Sequence, residues 1–387
     1  MSAAVLVLVC SALLIAYVLA GYPLILALYA RLFAKSIHKK AIAKKVSIVV
    51  PVRNGARWVE AKIDSLLASG YPAELIDILI VSDGSTDGTN ELVERYPDGR
   101  VRLLSLPGGG KATAVNRGIE SVAGDIIVLT DVRQQFAPDA IERLMACFAD
   151  ASVGVVTGEL MIRQGASREE YNTGLYWRYE KWIRRNLNRI DAMLGATGSI
   201  YAIRRELVSP IPHDILLDDV YLPFAAGFRG YRIYFEESAK AYDVPTSLQS
   251  EFWRKVRTQA GVYQIVMRFP GLLWPGNRRF LHFVSHKLGR LLLPFALLAV
   301  LASSFGMPPP WRALLLAGQA LFYGLALLDP VIPERFAGKR IAAVIRAFVV
   351  LVTAALFAVA VFFLPAQKLW RDTRTATQPD FTTSEPS

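Results

Sequence analysis

Cysteine is almost absent from the 387-residue chain, which has only Cys10 and Cys147, the first inside an apolar run. A disulfide framework and a thiolate zinc site are both excluded. Histidine is equally scarce, and His38, His213, His282 and His286 show no metal-ligand spacing, which leaves acid–base work to carboxylates. Acidic residues are the minority charge, 33 against 44 lysines and arginines, and the net charge of +11 suits anionic partners such as lipid headgroups or phosphorylated substrates. No repeat of solenoid or propeller period is present. Charged residues make up only 20% of the chain against 53% hydrophobic ones, too apolar a balance for disorder or for a wholly soluble protein.

Charge is missing from the whole N-terminal stretch, because the first charged side chain is Arg31. Residues 1–30 are expected to form one transmembrane helix, long enough to cross about 30 Å of hydrocarbon. A cleaved signal peptide would need a basic leader and a shorter apolar core. The linker 31–45 carries Arg31, Lys35, Lys39, Lys40, Lys44 and Lys45, which the positive-inside rule places in the cytoplasm. Uncharged runs return between Arg290 and Arg312 and between Arg346 and Lys368, with Ala313–Leu328 between them, so 290–367 should hold about three more helices. Just before them, 266–289 mixes Trp274, Phe280 and Phe283 with Arg278, Arg279 and Lys287, as an interfacial helix does. Four crossings put both termini outside, whereas Lys368, Arg371 and Arg374 argue against an outside C-terminus, so either one apolar run is re-entrant or the charge bias is overridden. The tail 368–387 has a disordered composition. A multi-pass protein of a bacterial inner (plasma) membrane, with its body cytoplasmic, is the expected setting.

That body, 46–265, reads as α/β. VSIVVPVRNG and IDILIVSDGSTDGT are β-branched strands running into Gly-rich turns, and DIIVLTD is a third strand. Asp83 and Asp131 thus fall at strand C-terminal ends, the edge where open α/β sheets bind ligands. Lys111 follows three glycines, where a flexible backbone and an ammonium can approach phosphate. Asp131 is a plausible contact for Mg²⁺, which uses few protein carboxylates and completes its shell with diphosphate oxygens and water.

In this order and spacing, VSIVVPVRNG, VSDGSTDGT, GGGKATAVNRGI and DIIVLTD resemble the family 2 glycosyltransferases, over roughly residues 46 to 260. The resemblance implies a GT-A fold, a Rossmann-like mixed sheet flanked here by transmembrane helices. It also implies inverting transfer of a sugar from a nucleotide diphosphate, a UDP-sugar above all, with help from Mg²⁺ or Mn²⁺. Pro51, Val52, Asp83, Lys111, Asp131 and Arg133 would line the donor site, with Asp131 on the metal. Further along, ILLDDVYLPFAAG resembles the acceptor half of the family, which puts Asp219 in the role of catalytic base with Asp218 as its neighbour. In EFWRKVRTQAG, Arg254, Lys255 and Arg257 would meet the diphosphate, and Trp177, Glu180 and Trp182 would lie on the acceptor side. Two motifs depart from the family: the Asp-x-Asp metal motif reads Asp131-Val132-Arg133, and Gln-x-x-Arg-Trp of processive synthases has Arg254 and Thr258 in place of glutamine and tryptophan. The expected acceptor is a lipid-linked or polysaccharide chain at the membrane. A processive synthase and a non-catalytic partner that binds nucleotide sugar are the alternatives. Nucleic acid is not expected, since no groove-reading module is recognisable.

Overall fold

Runs of β-branched residues too short and too evenly apolar for amphipathic helices build one eight-stranded sheet: β1 (Val46–Val52), β2 (Ile76–Asp83), β3 (Val101–Leu106), β4 (Ile126–Leu129), β5 (Gln135–Phe136), β6 (Val153–Ile162), β7 (Tyr201–Arg204) and β8 (Arg232–Asp243). The computed structural model describes residues 2–162, 168–244, 248–333, 335–336 and 338–364, with the backbone alone at 168–177 and 248–249. The tail 368–387 and the Trp177 side chain therefore lie outside the described residues.

The strand order is β3-β2-β1-β4-β7-β6-β8-β5. The first four strands are parallel. β7 then runs antiparallel to β4, and Tyr201 at its start pairs with Leu129 at the end of β4. The change of direction matters for the site. It brings the first residue of β7 to the same edge as the last residues of β1, β2 and β4.

Both faces of the sheet are covered, which is why β1 and β2 lack polar alternation. Ile48, Val50, Ile78 and Ile80 pack on one face with Val59, Ile63 and Leu66 of the helix Ala56–Leu67. Val49, Leu79, Val81 and Leu129 pack on the other with Ala114 and Val115 of the helix Lys111–Glu120. This second core is continuous with Tyr22, Leu26, Phe283 and Leu291 from the apolar helices, so the body is fused to them rather than tethered.

Among the described residues, four helices are long and apolar enough to cross a membrane: Ala3–Leu32, Phe280–Phe305, Trp311–Val331 and Lys339–Phe362. The second begins at Phe280, so residues 280–289 of the segment expected to be interfacial are the first turns of this helix. Wide π-helical turns interrupt two of the helices, at Tyr17–Gly21 and Phe283–Leu288. There Tyr17 Oη and Ser285 Oγ lie 2.7 Å apart, and Tyr22 Oη lies 3.1 Å from His282 Nδ1. Gly306 at one end of the second helix abuts Ala4 at the start of the first. The last helix ends against the body: Phe357 packs on Phe252 and Trp253, Phe362 on Tyr263, and Ala358 beside Leu216, Leu217 and Ala260.

Candidate active site

The glycine loop before Lys111 is set by backbone geometry that other residues resist. Gly84, Gly108 and Gly110 have φ of 68°, 101° and 86°, and a Cβ on Gly84 would stand 3.1 Å from the Pro107 carbonyl. Asp83 ends β2 facing this loop, and its two carboxylate oxygens accept the N–H groups of Gly109 (2.6 Å) and Gly110 (3.0 Å). The carboxylate expected to meet the nucleoside thus also anchors the N-terminus of the Lys111–Glu120 helix, a favourable place for negative charge. Across the edge, the loops after β1 and β2 are stitched together. The Asn54 N–H donates to Ser85 Oγ (3.0 Å), the Thr86 N–H to Asn54 Oδ1 (2.9 Å) and the Ala56 N–H to Asp87 Oδ2 (3.0 Å). Pro51 and Val52 lie at the base of this loop pair, opposite Val81 and Ser82.

Lys111 is the hub of the site. Its ammonium lies 3.0 Å from Asp131 Oδ1 and 3.1 Å from Asp218 Oδ1, joining the nucleotide half of the sheet to the motif expected to bear the base. Asp218 and Asp219 open the helix Asp218–Phe228. Asp219 accepts the Gly198 N–H at 3.0 Å. Removal from water and the adjacent Asp218 charge push the Asp219 carboxyl up to about 6, against the pull of Lys111 and the Gly198 N–H. Near them lies Tyr201, fully buried, whose hydroxyl has no hydrogen-bond partner among the described residues. Burial, followed by the Asp218, Asp219 and Asp131 charges, pushes that hydroxyl far above its usual range.

Of the basic trio on the helix Leu248–Arg268, Arg257 faces Asp131 and Asp219. Arg254 is ion-paired to Glu251, and Lys255 lies 4.0 Å from the same carboxylate. Arg133 pairs with the buried Asp243 at the end of β8, 2.6 Å away. Of the residues expected on the acceptor side, Trp182 is exposed, but Glu180 is bound to Arg290 and lies 3.7 Å from His286 Nε2. Burial raises the Glu180 carboxyl, yet Arg290 and His286 hold it well below the usual range, so it fastens the helix Arg168–Arg189 to the second apolar helix. Tyr201, Gly198, Glu251 and Asp243 were not legible in advance, because each acts through a neighbour distant in sequence.

Strand-end carboxylates, a glycine loop and an acid pair thus meet at one sheet edge. Along 92% of its length the chain matches the solved mannosyltransferase PcManGT from Pyrobaculum calidifontis, in complex with GDP-mannose and Mn²⁺, with a TM-score of 0.70, 98% of that chain covered and 21% identity. The fold is GT-A. Residues 47–211 match the family model of glycosyl transferase family 2, so the chain carries a family 2 glycosyltransferase domain. It is also 25% identical over 231 residues to the poly-β-1,6-N-acetyl-D-glucosamine synthase of Staphylococcus aureus, covering 58% of this chain and 56% of the relative. To the uncharacterized glycosyltransferase YibD of Escherichia coli it is 27% identical over 164 residues, 34% of this chain and 47% of that protein. The chain thus spans about half the length of the curated relatives it matches.

Proposed function

We propose that this protein is an inverting glycosyltransferase of the cytoplasmic face of a bacterial inner membrane. It would move a sugar from a nucleotide diphosphate, uridine diphosphate foremost, to a hydroxyl of a lipid-linked or polysaccharide acceptor. The observation that carries this reading is the meeting of Asp83, Lys111, Asp131, Asp218 and Asp219 at one sheet edge, with Asp219 raised to about 6. A base with that affinity for a proton is ionised at neutral pH and still able to accept one. The acceptor oxygen attacks the anomeric carbon, its proton passes to Asp219, and the bond to the diphosphate oxygen breaks on the opposite face. Pro51, Val52 and Asp83 would hold the nucleoside, and Lys111 with Arg254, Lys255 and Arg257 would meet the charge that builds on the leaving diphosphate.

A divalent cation fits the donor set. Asp131 and Asp218 offer hard oxygens and already hold one cation, the Lys111 ammonium, between them. No three ligating side chains meet among the described residues, so phosphate oxygens and water would complete the shell of an ion on Asp131. When bound, such an ion neutralises charge on the diphosphate. Trp182 and the helix that carries it lie beside the apolar helices, which suits an acceptor presented at the bilayer. The test is transfer by the detergent-purified full chain from radiolabelled UDP-, GDP- and dTDP-sugars, with Mn²⁺ and with chelator. Product dependent on one donor and lost in chelator is expected, and product length separates single transfer from polymerisation. Absence of transfer or hydrolysis with every donor overturns the reading.

A further inference from the structure

Behind the carboxylates lies a lysine that this chemistry does not use. Lys62, on the helix Ala56–Leu67, is fully buried, and no carboxylate lies within ion-pair distance of it among the described residues. Its Nζ donates to Thr130 Oγ1 at 2.8 Å and to the Gln134 carbonyl at 2.5 Å, and lies 3.9 Å from the centroid of the Phe136 ring. Burial pushes its pKa well below that of an ordinary lysine. An amine enclosed in an apolar layer costs free energy that a methionine of similar size would avoid. Its contacts must offset that cost.

Those contacts lead to both halves of the site. Thr130 and Gln134 bracket Asp131 and Arg133, so Lys62 grips the loop leaving β4 on either side of its carboxylate. The Ser199 and Gln134 carbonyls can only accept, which fixes the direction of every bond. Thr130 accepts from Lys62 and donates onward to the Ser199 carbonyl at 2.6 Å. Ser199 follows Gly198, whose N–H holds Asp219. On the other arm, the Gln134 side-chain amide donates to Asp243 Oδ2 at 2.8 Å, beside Arg133.

We propose that Lys62 is a positioning residue for glycosyl transfer, which fixes the donor-side loop of Asp131 against the Gly198–Ser199 segment that orients Asp219. The inference rests on the transferase reading above and goes beyond it. Without the link, the Gly198 N–H is no longer held where it meets the Asp219 carboxylate.

The test compares Lys62→Met, Thr130→Val and Thr130→Ser in the full-length protein. Lys62→Met and Thr130→Val should both lower kcat, by about tenfold, and leave the KM for the donor little changed. Thr130→Ser keeps the hydroxyl and should keep the wild-type kcat. A wild-type kcat in Thr130→Val, whose fold is less at risk than that of Lys62→Met, overturns the proposal. Amide hydrogen exchange over 196–200 separates this failure from failure of the transferase reading, because it needs no activity. Faster exchange in Lys62→Met and Thr130→Val is expected, and unchanged exchange overturns the linkage whether or not the wild type transfers sugar.

Discussion

Asp218 and Asp219 are adjacent in the chain yet hold different partners, a lysine ammonium for the first and a backbone N–H for the second. That division suits Asp219 to proton transfer and leaves Asp218 to hold Lys111. Since Asp219 has to be ionised to accept a proton, transfer should rise with pH through about 6 and be lost below it, as a kcat–pH profile would show. Asp219→Asn should abolish transfer while nucleotide binding, read by thermal shift, persists. Near-normal turnover would remove Asp219 from the base role. The same shift makes a statement about stability. The folded carboxyl binds its proton more tightly than the unfolded one, so ionisation of Asp219 opposes folding in full above pH 6 and less as pH falls towards 4. Asp219→Asn should therefore raise the melting temperature at pH 7.5, an unusual outcome for loss of a catalytic group. The family resemblance singled out Asp219, but its pKa was not legible, because the neighbours that set it include residues 111, 131 and 198, distant in sequence.

At the scale of elements, the helix Lys111–Glu120 decides where the hub lies. Gly118 lets it sit close to the sheet: a Cβ there would come within 2.5 Å of Val49 Cγ1 and 2.9 Å of Val81 Cγ2. Gly118→Ala should lift the helix, destabilise the protein by about 1–3 kcal/mol in denaturant unfolding and weaken donor binding through Lys111. Shortening the opposing residue, in Gly118→Ala/Val49→Ala, should restore part of the binding loss if the clash is the cause. A loss unaffected by the second change would place the defect elsewhere. The strands themselves were legible as β-branched runs, and their C-terminal carboxylates with them. The reversal at β7 was not, because GSIYAIRR carries no mark of strand direction, and it is the reversal that places Tyr201 near the acids.

Across the whole molecule, the body and the apolar helices share a core, and this constrains how the chain crosses the bilayer. Were all three C-terminal helices to cross, Leu364 would emerge opposite the body. Instead the last helix ends on Phe252, Trp253 and Tyr263. We expect Leu364 to lie on the catalytic side, which accords with the positive-inside rule for the basic residues Lys368, Arg371 and Arg374 that follow in the sequence. Cysteines introduced as Leu364→Cys and Glu120→Cys should react with an impermeant thiol reagent from the same side of sealed vesicles. Labelling from opposite sides would show that every helix crosses.

Composition and pattern alone determined that this chain has apolar helices with basic flanks around an α/β body, and which short motifs bear its carboxylates, since hydrophobic period and turn residues act locally. Partnership was decided only in three dimensions. Lys111 between Asp131 and Asp218, Asp83 on the glycine loop, Arg133 drawn to Asp243 and Lys62 beneath Thr130 all depend on which strands lie side by side. Electrostatic and hydrogen-bond energies depend on distance through space, and distance along the chain does not report it.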